Sequence, residues 1–311
     1  MSVADKTRLI KQVAAGHGFD RVGIAEARTV PRVPYLNQWL ATGRAGTMRY
    51  LHRNLNIRSD PRQLLDGARS VIVLAFNYHQ QAPPPPDDGL PRGRVAMYAW
   101  GDDYHVIVKK RLHALADELH QQIDEPFETR CCVDTVPILE RELAAAAGIG
   151  WIGKNTMVLH PDLGSYFFLG EIVTTLELSP DEPVTDHCGT CTRCLEACPT
   201  KAFTAPYQMD ASQCISYLTI EHRDEIPLDF HEAIGEWVFG CDLCQQVCPY
   251  NQSAPISRSF PIRPPGPRPH LDEMCKWSDG DYRGILKTST IRRAKLSMLQ
   301  RNATIARRNV Q

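Results

Sequence analysis

Apolar positions in the first half of the chain recur with two different periods, and the two alternate. Leu9, Ile10, Val13 and Ala14 share one face of a helix over residues 4–16, with Gly16 and Gly18 placed to stop it. Arg21-Val-Gly-Ile-Ala reads as a strand, and Tyr35 to Ala41 as a second helix with Gly43 beyond it. Ser70 to Tyr78 is apolar almost without interruption and β-branched, which at that length predicts a buried central strand. The proline-rich stretch Gln80 to Gly89 follows as a surface insertion with polyproline character. After Arg94 to Trp100, Asp102 or Asp103 is positioned to cap a helix in which Val108, Leu112, Leu115 and Leu119 line one face. A strand over Glu128 to Val133 and a helix over Ile138 to Ala147 come next, the helix with Pro137 at its start and Gly148 past its end. A last strand lies within Tyr166 to Leu178. Alternating helices and strands predict an α/β or α+β domain over residues 1–178, before a cysteine-rich domain over 179–255 and a Pro/Arg-rich tail over 256–311.

At 311 residues and 43% hydrophobic content the chain can bury a sizeable core. No apolar run reaches the roughly eighteen residues that a membrane helix needs, so a cytoplasmic protein with no membrane partner is expected, and a monomer. The net charge of −1 conceals an asymmetry: residues 256–311 carry 12 Lys/Arg against 4 Asp/Glu, and no acidic residue follows Asp281. Such a basic tail is an electrostatic footprint for phosphate backbones, although a solvated polar helix produces the same count.

Eight of the eleven cysteines fall between Cys188 and Cys248. Cys188-Gly-Thr-Cys191-Thr-Arg-Cys194-Leu-Glu-Ala-Cys198-Pro199 is the run found in bacterial two-cluster ferredoxins, in which the fourth cysteine ligates the other cluster. Cys241-Asp-Leu-Cys244-Gln-Gln-Val-Cys248-Pro249 repeats half of it, and Cys214 supplies the missing thiol. The spacing therefore assigns one [4Fe-4S] cluster to Cys188, Cys191, Cys194 and Cys248, and a second to Cys198, Cys214, Cys241 and Cys244. Disulfides do not suit a chain without a signal peptide, and crossed C-x3-C-P copies are not a zinc spacing. Two adjacent clusters form a wire for single electrons.

Two further patterns carry less. Gly148-Ile-Gly150-Trp-Ile-Gly153-Lys154-Asn155 satisfies G-x-G-x-x-G, but a helix enters it and an extended segment leaves, the reverse of a phosphate-binding turn. Asp229-Phe-His231-Glu-Ala-Ile-Gly235 approximates the D-x-H-x-x-G signature of enzymes that bind cobalamin through histidine, with its glycine one position late. His231 reads as a surface histidine on a helix.

Larger blocks are more specific. Tyr98-Ala-Trp-Gly-Asp-Asp-Tyr-His105, Val133-Asp134-Thr-Val-Pro137 with Glu140-Arg141, Ala147 through Asn155, Gly164-Ser165, Cys214-Ile-Ser216-Tyr-Leu-Thr and Gly240 through Pro249 stand in order over about half of the chain. In these blocks the sequence closely resembles the epoxyqueuosine reductases. The resemblance implies an enzyme that reduces epoxyqueuosine at the wobble position of certain transfer RNAs to queuosine. It also implies that the first domain binds cobalamin, held base-off without a histidine ligand between that domain and the clusters, and that an external low-potential donor feeds electrons through the clusters to form cob(I)alamin. By the same carry-over Asp134 is the general acid, which requires a pKa raised by burial, and Arg58, Met97, Asp134, Val158, Leu169, Ser216 and Asp242 contact cobalamin. Arg141 is a candidate transfer RNA contact. On the residues alone, Asp134 or Thr135 reads as the cap of the helix at Pro137, and Arg141 as an exposed helical arginine.

Two departures from the family pattern stand out. Relatives carry Ser-Arg, or Cys in place of the Ser, where this chain has Ala96-Met97, so no thiol at that site is essential here. Many continue beyond the Gln300-Arg301-Asn302 region into helical repeats that help to hold the anticodon arm, a task that falls here to the basic tail. Cys131 and Cys132, just before Asp134, read as buried strand cysteines, and Cys275 has no assigned partner. The competing readings are a reductive dehalogenase-like corrinoid enzyme, a ferredoxin-like electron carrier, and a nucleic-acid-binding protein with structural clusters.

Overall fold

The computed structural model describes residues 1–84 and 87–310; Pro85 and Pro86 of the proline-rich insertion, and Gln311, lie outside the described residues. Helix α1 (Val3–Gly16) is capped by Ser2, whose hydroxyl accepts the Asp5 N–H at 3.1 Å. Four strands form one antiparallel sheet: β1 (Arg21–Glu26), β2 (Ser70–Asn77), β3 (Thr129–Cys132) and β4 (Phe167–Thr174), in the order β1-β2-β4-β3. Every residue of β2 is buried because both faces of the sheet are covered. Ile72, Leu74 and Phe76 pack with α1 and with α2 (Tyr104–Gln122), while Val71, Val73 and Ala75 pack with α3 (Glu140–Ala146). Asp103 caps α2 by accepting the His105 N–H, and Val108, Leu112, Leu115 and Leu119 are fully buried on its inner face.

Helix α3 starts later than its sequence pattern suggests. The Ile138 N–H is already bonded to the Val136 carbonyl at 2.8 Å, so the chain makes a tight turn through Pro137 before the helix begins at Glu140. Leu139 occupies the cap position and no side chain caps the helix, so neither Asp134 nor Thr135 serves as the cap. Asp134 is left on a connecting loop with a positive φ of 46°.

Residues 256–311 do not trail from the body as a tail. Phe260, Leu271, Met274, Trp277 and Leu286 join the core beneath α1 and α2, as do Met298, Leu299 and Ala303 of the last helix, α4 (Leu296–Asn309). Charge counted alone had concealed that face, since Arg307 and Arg308 are exposed on the far side of the same helix. Asn302 is fully buried and donates to the Thr219 and Val238 carbonyls at 2.8 and 2.9 Å, which pins α4 to the cysteine-rich segment. A short parallel pairing of Trp237–Phe239 with Arg94–Val95 joins that segment to the first domain. Among the described residues no helix is long and apolar enough to cross a membrane.

Candidate active site and cluster sites

The eleven cysteines are all free. The sulfurs that act most strongly on Cys194 are those of Cys188, Cys248 and Cys191, while Cys214 and Cys198 act on Cys241. The fold thus brings the two crossed sets into two neighbourhoods. N–H groups point at the sulfurs in both. The Trp151 indole lies 3.5 Å from Cys188 Sγ, the Ala202 N–H 3.4 Å from Cys198 Sγ, and the amides of Ser216 and Tyr217 face Cys214. Burial pushes the free Cys194 thiol up to about 11 and raises Cys241 and Cys244 further, so thiolates form there only against a positive metal charge. No three His, Cys, Asp or Glu side chains among the described residues converge tightly enough for a single metal ion.

Lys154 explains the glycine-rich decoy. It is 9% exposed, and its Nζ donates to the carbonyls of Gly189 and Cys191 at 2.6 and 2.9 Å, tying down the first cysteine loop. Gly150 is required by close approach rather than by a phosphate: a Cβ there would lie 2.0 Å from the Leu159 carbonyl oxygen. His231 bonds the Ile226 carbonyl at 2.9 Å and is committed to its own turn.

Asp134 belongs to a chain of three groups. Its Oδ2 lies 3.0 Å from His105 Nε2, and His105 Nδ1 lies 2.7 Å from Asp103 Oδ1. The Asp134 side chain is 57% exposed although protein crowds it on several sides. Burial raises its pKa, but the hydrogen bond and charge of His105, helped by Tyr104 and Arg293, outweigh burial and hold the carboxyl below its usual range. The expectation of a raised Asp134 pKa is therefore reversed. The proton resides instead on His105: burial lowers its pKa, yet the bonds to Asp103 and Asp134 prevail and push it up to about 9. Tyr104 stacks on Phe168 with centroids 4.1 Å apart, fixing the start of α2. Arg293, from the C-terminal segment, pairs with Glu221 at 2.9 and 3.1 Å and lies over the Tyr50 ring. His105 stood inside a quoted sequence block but carried no assigned role, and Arg293 was one basic residue among many.

The remaining candidates are spread more widely. The Met97 N–H donates to Asp242 Oδ2 at 2.7 Å; Asp242 is 3% exposed, and burial pushes its carboxyl up to about 6. Arg58 is half-buried and reaches the Tyr50 carbonyl at 3.3 Å. Val158 and Leu169 lie on the α3 face of the sheet, and Met97 on the α2 face. Ser216 and Asp242 adjoin the second cysteine set in sequence, two residues after Cys214 and one after Cys241. Ala96 is buried against Gly240. Arg141 is exposed, and its guanidinium bonds the Thr156 carbonyl at 2.6 Å. Burial pushes Cys131 up to about 11 and Cys132 higher, so both remain thiols. Cys275 packs against the core, with its Sγ 3.6 Å from the Thr304 hydroxyl. Surface depressions of about 580 and 490 Å³, one along α1 and one between Arg263 and Thr288, contain none of these residues.

Residues 58–135 match the family described as epoxyqueuosine reductase QueG, DUF1730, and residues 187–251 match a 4Fe-4S double cluster binding domain. The chain is 40% identical over 302 residues to a protein of Leadbetterella byssophila named epoxyqueuosine reductase, covering 96% of this chain and 97% of that one. It is 41% identical to one of the same name from Cyclobacterium marinum, covering 97% of each. A solved epoxyqueuosine reductase in complex with an epoxyqueuosine-modified tRNA-Tyr stem loop superposes with a TM-score of 0.93 at 30% identity, over 99% of this chain and 82% of that one. A Bacillus subtilis structure superposes at 0.91 and 30% identity with the same coverage, and is described as having its catalytic aspartate loop swung out of the active site. A B12-dependent reductive dehalogenase shares the fold alone, at 14% identity and a TM-score of 0.50 over 98% of this chain and 36% of that one.

Proposed function

The chain belongs to the epoxyqueuosine reductase family, and from that premise we propose how its cleft reduces epoxyqueuosine in transfer RNA to queuosine. The observation that carries the reading is the Asp103–His105–Asp134 hydrogen-bond chain, which ends on an exposed carboxylate. Reduction of the epoxide to the alkene takes up two electrons and two protons and releases water. Cys188, Cys191, Cys194 and Cys248 would hold one [4Fe-4S] cluster and Cys198, Cys214, Cys241 and Cys244 the other, and the pair would supply electrons from an external low-potential donor. The N–H groups aimed at these sulfurs stabilise the reduced, more negative clusters.

Cobalamin is the second cofactor in this reading, and the residues present fit it. Half-buried Leu169 would offer it apolar contact and half-buried Ser216 polar contact beside the second cysteine set, while Met97, Val158 and Asp242 would support that wall from within. When bound and reduced, cobalamin supplies the nucleophile that opens the epoxide.

The chain's own residues manage the proton. At rest His105 is the imidazolium and Asp134 the carboxylate. As cofactor and substrate exclude water from the cleft, the ion pair loses solvation, and transfer from His105 Nε2 to Asp134 Oδ2 gives two neutral groups that a drier site favours. Asp134 then donates to the epoxide oxygen as its bond to carbon breaks, which prevents a free alkoxide from building up. Asp103 holds the other imidazole nitrogen and with it the ring orientation. Exposed Arg141, with Arg293 and Tyr50 near Asp134, would meet transfer RNA in this reading. The protein acts as a monomer in the cytoplasm.

An anaerobic titration of the cluster-loaded protein with cobalamin, followed in the visible spectrum, is expected to saturate at one corrinoid per chain. Failure to bind would favour the electron-carrier reading.

A further inference from the structure

Two carboxyl groups beneath Asp134 have no part in the proton path above. Glu171, in the middle of β4, is fully buried and paired in register with Cys132, two residues before Asp134. Neither of its oxygens has a hydrogen-bond partner. Glu140 opens α3, and its Oε1 accepts the Asp134 N–H at 2.5 Å. Among the described residues this is the one hydrogen bond made by the Asp134 backbone. A residue other than glycine held at φ 46° is strained and stays there only if something fixes it.

We propose that Glu140, backed by Glu171, is the positioning residue that clamps the Asp134 loop in its proton-donating position. The inference rests on Asp134 being the proton donor. The fold makes the two carboxyls unequal partners. Burial, then the neighbouring Glu140, raise Glu171 well above the carboxylate range, so it keeps its proton. Burial and the Asp134 charge push Glu140 up to about 7, while the Asp134 N–H and nearby Arg141 favour its ionised form. The other titratable groups around the pair are Cys132, which remains a thiol, and Tyr104, whose pKa burial raises. Ionised Glu140 makes a charge-assisted bond to the Asp134 N–H, stronger than the bond made by the neutral acid. The clamp therefore tightens as pH rises through about 7. The Bacillus subtilis relative is described with its catalytic aspartate loop swung out of the active site.

Hydrogen exchange of the peptide spanning residues 133–139, measured on the cluster-loaded protein without substrate and corrected for intrinsic pH dependence, reads the clamp directly. Wild type should gain about tenfold protection as pH rises through the Glu140 transition, in line with one stronger hydrogen bond. Glu140→Ala should lose that protection at every pH, while the peptide over residues 143–147 exchanges as in wild type. Glu140→Gln retains an acceptor oxygen and should keep its protection without the pH step. Glu171→Gln exchanges one neutral buried donor for another and should leave the pH step in place. In single turnovers Glu140→Ala should lower the rate of conversion and leave the KM for transfer RNA in place. Wild-type exchange in Glu140→Ala, or an unaltered pH step in Glu140→Gln, would overturn the clamp. A wild-type protein that cannot convert epoxyqueuosine would instead sink the functional reading, and the exchange data would still decide the clamp.

Discussion

Asp134→Asn is expected to retain both clusters and cobalamin while slowing the conversion of epoxyqueuosine by about 10²- to 10⁴-fold, the range for loss of a positioned general acid. The amide has nearly the shape of the carboxyl, and its backbone N–H still meets Glu140. What disappears is the oxygen that takes the proton from His105 Nε2 across 3.0 Å. His105→Gln should be slowed as well, and for a separable reason. In wild type the His105–Asp134 couple carries its proton below about pH 9 and loses it above, so the rate should fall as pH passes that value. Without the imidazole that limb should vanish. Single-turnover rates against pH, with cobalamin occupancy checked by its spectrum, distinguish an acid from a mere cofactor contact. If Asp134→Asn loses cobalamin instead, the residue is a contact.

Loss of a single cluster cysteine should stop turnover altogether, and the pattern of losses should be crossed. Cys248→Ala is expected to remove the cluster that Cys188→Ala removes, although Cys244 and Cys241 are its sequence neighbours. Cys198→Ala should match Cys241→Ala in the same way. Each variant should fall to about half of the wild-type iron, and the paramagnetic resonance of the reduced protein should sort the four into those two pairs. Had the chain folded into two local cages, Cys248→Ala would pair with Cys241→Ala. The crossing ties the two cysteine loops to each other, and Ser216 and Asp242 follow cysteines of the second set by two residues and one.

The parts of this protein that are local in sequence were legible there. The unbroken apolar run of β2 announced a strand covered on both faces, and the cysteine spacing announced the crossed sets because proline after each final cysteine turns it away. The parts created by long-range contact were not. Glu171 lies in a run that reads as strand, and nothing within it says that its carboxyl will meet Glu140 under a loop. Asp134 was expected to have a raised pKa because burial was foreseen and His105, 29 positions earlier, was not. Burial acts as foreseen and remains the largest influence, but the neighbouring imidazolium outweighs it. The C-terminal segment was misjudged because net charge averages over a helix that is basic on one face and buried on the other. Lys154 sat in a motif whose usual meaning failed on the order of its elements, and its actual partners, the carbonyls of Gly189 and Cys191, lie 35 and 37 positions away.

The central claim is that this chain itself converts epoxyqueuosine to queuosine. It is tested most directly by incubating cluster-loaded, cobalamin-bound protein anaerobically with a strong reductant and an epoxyqueuosine-containing stem loop, then digesting the RNA and weighing its nucleosides. The account predicts that the epoxyqueuosine mass is replaced by one lower by a single oxygen atom, only when both cobalamin and reductant are present. An unchanged nucleoside, with both clusters and the corrinoid demonstrably bound, would contradict it.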